Sequence, residues 1–246
     1  MIHACARQKL TEEDRKFVAA ALCREGEKET TIKELLNDPE MRDALLDHPK
    51  LLEFLLHYSR TTSISPFLYF YVLVRNSLRE HGLDDRQVAD YVAAMLAEFG
   101  KEGRAHRVSS QSTKEYHYLV DLMADLVESD SMETFYLRSH LGNYALFLTG
   151  MFPDRIHHRV KYHAPAPGFR YYEQVGRTSF HLASRHRMAE RYQLSEILEV
   201  LGRNFVAARH ALNHVADNYL TLDRNPGVSD KVMRRVQHFI DRKQSN

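Results

Sequence analysis

The residues with the most chemistry to offer lie in the second half of the chain. Asp154, His157, His158 and His163 sit within one short stretch, "PDRIHHRVKYH". Neutral imidazoles and a carboxylate make a competent ligand set for zinc or iron. On a helix, Asp154 shares a face with His157 or His158. The same stretch carries Arg155, Arg159 and Lys161, which repel a cation, so a solvated basic surface is the preferred reading and no metal is favoured. Patterns that would strengthen a metal site are missing from the sequence: Glu-x-x-His, His-Glu-x-x-His, Cys-x-x-Cys and a His-Asp dipeptide.

A second group is "RHALNH", residues 209–214. His210 and His214 stand at i, i+4, a good two-ligand spacing. Arg209 and His214 match the Arg-x4-His motif of HEPN ribonucleases, which implies an Arg and a His acting at the scissile phosphate of RNA. With 15 histidines in 246 residues, such a match arises readily by chance. Nucleophile and phosphate motifs are missing: no Gly-x-Ser-x-Gly, no P-loop and no dinucleotide fingerprint occurs. Cys5 and Cys23 lack a positive setting that would mark a reactive thiolate.

Two glycines frame the elements that must position any site. Gly142 and Gly150 lie in "HLGNYALFLTGMFPD", which otherwise reads as a buried helix, where glycine costs roughly 0.5–1 kcal/mol against alanine. Gly150 reads as a helix-ending residue, with Phe152-Pro153 forcing an extended step. Gly142, Ala145 and Thr149 share one narrow helical face at i, i+3, i+7. Gly176, Ser179 and Ala183 repeat that spacing in "FRYYEQVGRTSFHLASRH". Small side chains let helices approach closely, so these two helices are expected to cross at their small stripes. The alternative is a slot for a flat ligand, lined by Gly142, Asn143, Tyr144, Tyr172 and Gly176.

Helix punctuation recurs along the chain. Thr11, Thr31, Ser65, Asp84 and Asp130 stand where N-caps belong, and Pro66 and Pro153 stand at first helical positions. "FLYFYVLV" has strand propensity, but its Ser-Pro start and the continuation "RNSLREHG" favour a helix. Leu194, Leu198, Leu201, Phe205, Ala208, Leu212, Val215 and Tyr219 alternate spacings of 4 and 3. That predicts a helix over 192–220 with a seam against one long neighbour. A basic amphipathic helix is predicted over 229–243, read as a docking helix in preference to a nucleic-acid contact. The fold class is therefore all-α, a bundle of about ten helices. Residues 1–100 form an N-terminal helical part, the polar, Ser-rich 101–114 a linker, and 115–246 a C-terminal bundle, packed together as one unit.

"LGNYALFLTGMFPDRI" followed by "YYEQVGRTSF" resembles a motif pair in a family of uncharacterised, all-helical bacterial proteins. The resemblance covers about residues 138–220. It implies a helical fold and a bacterial source and implies no activity. The "APAPG" break at 164–168 and the cluster His157, His158, His163 depart from the family pattern.

Composition bounds the rest. The chain is 43% hydrophobic and 27% charged, ordinary for a globular protein. Two cysteines make no disulfide framework, and the start "MIHACARQKLTEEDRK" has no apolar h-region, so a cytoplasmic setting is expected. The longest apolar run, residues 66–74, is far short of the roughly 20 residues of a membrane helix. Residues 1–150 hold 18 basic against 24 acidic side chains, net −6; residues 151–246 hold 16 against 9, net +7. The two parts are set to attract one another within the fold or between copies. The reading that results is a non-catalytic helical interaction or small-ligand-binding protein without a cofactor. Its partner is a second copy or another protein, and its ligand a small apolar or anionic molecule. The alternative is a His-dependent enzyme, metal-assisted or an RNase using Arg209 and His214.

Overall fold

A computed structural model describes residues 1–23, 29–58, 63–109, 111–162 and 167–220. His163, residues 164–166 of the "APAPG" break and the helix predicted over 229–243 lie outside the described residues. Among the described residues the chain is all-α, with thirteen α-helices and no strand. None of these helices is long and apolar enough to cross a membrane.

Helix starts are fixed by side-chain oxygens that take the otherwise unpaired amide protons of the first turn. In α1 (Glu12–Leu22), Thr11 Oγ1 accepts from the Asp14 amide at 3.1 Å and Asp14 Oδ2 accepts from the Thr11 amide at 2.8 Å. Asp14 is fully buried, and its Oδ1 accepts from the Ser65 amide at 2.7 Å. Thr31 lies inside α2 (Glu29–Leu35) and does not cap it. Asp38 caps α3 (Pro39–Leu46), and α4 (Pro49–Tyr58) opens on a proline. Ser65 caps α5 (Pro66–Glu80) as expected. The cap of α6 (Arg86–Phe99) is Asp85 and not Asp84, because Asp84 is drawn 2.5 Å from Arg75 instead. A 3-10 turn, Arg104–His106, precedes α7 (Leu119–Glu128). Asp130 caps α8 (Ser131–Met151), and Pro153 opens α9 (Pro153–Tyr162). Next come α10 (Phe169–Ser184), α11 (Arg187–Arg191), α12 (Ser195–Arg203) and α13 (Phe205–His214), which runs into a π-helical turn, Val215–Tyr219.

"FLYFYVLV" is helical, within α5, where every residue from Leu68 to Arg75 is buried. A helix apolar all round must be enclosed on all sides, and α5 is: it packs on α4, α6 and α13. α8 packs on α10 and α13, α10 on α12, and α12 on α6. Two buried hydrogen bonds tie α5 and α6 to the helices that follow. Ser77 Oγ donates to the Ala211 carbonyl at 2.8 Å, and Tyr91 donates to Asn143 Oδ1 at 3.0 Å. Within 101–114, Ala105 and Arg104 are buried, and one core cluster includes residues from both sides of this stretch.

The stretch 192–220 is not one helix. Gln193 takes a left-handed φ of 56°, Asn204 separates α12 from α13, and the last turn widens to a π-helix. The seven seam residues from Leu194 to Val215 are nonetheless all buried. Burial follows the apolar pattern, while the breaks let α12 and α13 meet α6, α8, α10 and α5 in turn, rather than one long neighbour.

Candidate functional site

The glycine stripes meet. A Cβ on Gly176 would lie 3.1 Å from the Ala145 Cβ, across the α8–α10 contact, and would collide with the Phe205 ring from α13. A Cβ on Gly142 would lie 2.6 Å from the Phe180 ring on α10. The space left by the two missing side chains is therefore filled by two aromatic rings of the protein itself, which is the expected close crossing and not the alternative, a ligand slot at Gly142 and Gly176. Asn143 is spent on Tyr91. Gly150 does not end its helix either. It lies inside α8, and a Cβ there would fall 2.6 Å from the Leu212 Cβ, so it serves close approach of α13.

Arg209 and His214 do not converge. Arg209 pairs with Glu173 at 2.8 Å and lies over the Phe169 ring, 5.2 Å from its centre. His214 turns to Glu80 at 3.4 Å and to the rings of His81 and Tyr219. Five residues of helix rotate them well apart, and an Arg already neutralised by Glu173 is poorly placed to hold a phosphate. The α9 candidates also separate: Asp154 is exposed, His157 stacks on Phe169 at 5.3 Å, and His158 lies against Tyr162. Among the described residues no three His, Cys, Asp or Glu side chains stand together so as to hold a metal ion.

Tyr144 lies on α8 and Tyr172 on α10. Both are buried, and burial raises both hydroxyls, Tyr144 to about 12. Arg155 and Arg159 of α9 act on both, drawing them back down. Arg159 also lies over the Tyr118 ring at 5.0 Å. On the inner side His140 stacks parallel to Tyr144, 6.0 Å between centres, and meets the Phe99 ring edge-on. His140 is buried, with no partner at Nε2 among the described residues, and burial pushes its imidazole down to about 3.

The surface feature that sequence reading missed is the outer face of α7. Leu119 and Leu122 point inward and are buried, with Leu126 packed against the core. Val120, Met123, Ala124 and Val127 are exposed, Val120 by 62% and Val127 by 86%. They stand at i, i+3, i+4, i+7, the pattern of a helix-packing face. The signal was present: α7 is apolar on two sides, and its only polar residues are Asp121, Asp125 and Glu128. No family model, curated protein or solved structure matches this chain.

Proposed function

We propose that this chain is a non-catalytic helical interaction protein that pairs with a second copy of itself through α7. The observation that carries this reading is the apolar outer face of a helix whose inner face is already buried. Exposed apolar patches of this kind mark interaction surfaces.

A second copy fits because the face is self-complementary about its own centre. With two α7 helices antiparallel across a two-fold axis, Val120 meets Val127 of the other copy, and Met123 meets Ala124, large against small. On the flanks, Lys114 pairs with Asp125 of its own chain and His117 stands 3.8 Å from Glu115, while Asp130 and Glu133, both exposed, follow the helix, so the apolar face itself carries the pairing. One helix pair buries less than a standard interface of about 1,600 Å², so the expected dimer is weak.

Sedimentation equilibrium of the full chain over a wide concentration range tests the reading. A monomer–dimer equilibrium that Val127→Glu abolishes, with the melting temperature unchanged, supports it. A chain that keeps the mass of one copy at every concentration up to its solubility limit overturns it.

A further inference from the structure

Met123 occupies the middle of the outer face of α7 and is 40% exposed. Two more methionines of the described helices are exposed, Met41 on α3 and Met132 in the first turn of α8, while Met95, Met151 and Met188 are buried. Met123 differs from Met41 and Met132 in lying within the apolar face and in its neighbour. The Tyr171 hydroxyl, on α10, donates to the Met123 Sδ at 3.4 Å. A thioether sulfur is a weak acceptor. An oxygen added to that sulfur is a far better partner for the same hydroxyl.

We propose that Met123 is a peroxide-sensitive modification site, and that its conversion to methionine sulfoxide switches off the self-association of α7. The inference rests on the reading that α7 pairs with a second copy. The oxidant is a hydroperoxide, hydrogen peroxide in the simplest case. The Met123 sulfur attacks one peroxide oxygen with a lone pair. The S–O bond forms as the O–O bond breaks, and the departing hydroxyl takes the proton of the transferred oxygen and leaves as water. Sulfur gives up two electrons and peroxide gains them. Pairing covers the sulfur, so the single chain is the species that reacts, and a weak dimer keeps that species populated.

Sulfoxide formation turns a flexible apolar side chain into a polar one. In the antiparallel pair Met123 of each copy lies against Ala124 of the other, beside the two-fold axis, so every interface carries two sulfoxides. Val120, Ala124 and Val127 have no side-chain donor to offer them, and a polar oxygen buried without a partner is unfavourable. The Tyr171 hydroxyl is the donor at hand, and it draws the oxidised group toward α10, out of the large-against-small contact. Both effects favour the single chain. The change is reversible, because methionine sulfoxide is a substrate for reductases.

Sedimentation equilibrium of the full chain before and after mild hydrogen peroxide tests the site, with peptide mass spectrometry to locate the added oxygen. Dithiothreitol, added once the peroxide is removed, returns Cys5 and Cys23 to thiols and leaves sulfoxides in place. Self-association is expected to weaken at least tenfold when Met123 is oxidised and to return after treatment with methionine sulfoxide reductases. Oxidation of Met123 should slow at concentrations where the pair dominates. The Met41→Leu, Met132→Leu double variant should respond to peroxide as the parent does. Met123→Leu, compared with itself before and after peroxide, should not respond; if it does not associate, the double variant decides. An unchanged association constant with Met123 fully oxidised, or Met123 left intact while Met41 and Met132 are oxidised, overturns the proposal. A chain that stays single before any peroxide fails the pairing reading and this inference with it, whereas a pair that survives oxidation of Met123 fails this inference alone.

Discussion

The ring of Phe180 lies 2.6 Å from the point a Cβ on Gly142 would occupy. Real Cβ atoms do not approach other heavy atoms that closely, so this glycine is held by packing and not by backbone conformation. The same holds at Gly176, where the obstacle is Phe205. Alanine at position 142 gains about 1 kcal/mol of helix propensity but must push a fully buried ring aside. Overpacking costs typically about 1–3 kcal/mol. We therefore expect Gly142→Ala to be neutral to destabilising, and Gly176→Leu to lose about 3 kcal/mol or more. Urea denaturation measures both, and a Gly176→Leu protein as stable as the parent would show that the crossing is looser than described.

Tyr91 and Asn143 join α6 to α8 through one hydrogen bond inside the core, with Tyr91 wholly buried. Tyr91→Phe keeps the ring and strands the Asn143 oxygen. An unpaired buried acceptor costs about 1–3 kcal/mol. The double variant Tyr91→Phe, Asn143→Leu removes both polar partners and should recover part of that loss. A double-mutant cycle decides it: additive losses would mean that the two side chains are not coupled.

Acid should destabilise the fold, and in two stages. Burial holds the His140 imidazole down at about 3, whereas an unfolded histidine titrates near about 6.5. The unfolded chain therefore takes up protons first, and the stability present at neutral pH is lost as pH falls from about 6.5 toward 3. His3, His106 and His210 are also lowered, first of all by burial, and act in the same direction. Glu199, held down to about 2 chiefly by its hydrogen bond with His181, adds a further loss below its ordinary value of 4.5. The urea midpoint should drop between about pH 7 and about pH 5, and His140→Leu should flatten that slope. A midpoint that rises on acidification would contradict this.

What the sequence made legible was burial and helix initiation. Thr11 and Ser65 cap as read, because only the chain ahead of the first turn can supply those acceptors. The seam from Leu194 to Val215 is buried as its spacing required. Its continuity was not legible, because the left-handed turn at Gln193 and the break at Asn204 answer to neighbours, not to local spacing. Asp84 and Asp85 are equally good caps in isolation, and Arg75, nine residues upstream of Asp84, decides between them. The stripe at Gly142 showed that something comes close, but not that it is a ring from α10. The outer face of α7 was overlooked because its inner face already accounted for an amphipathic helix.

The single carboxylate of Asp14 takes the amide protons of both Thr11 and Ser65, 2.8 Å and 2.7 Å away. Through it the start of α1 is fastened to the start of α5, whose residues from Leu68 to Arg75 are all buried. The chain between them is a loop closed at its neck by one side chain. The first four helices therefore cannot peel away while α5 stays put without parting the Ser65 amide, at the start of α5, from its carboxylate acceptor. Cooperativity between this N-terminal lobe and the core rests on a residue that, in the sequence, is only one of three acids in a first turn.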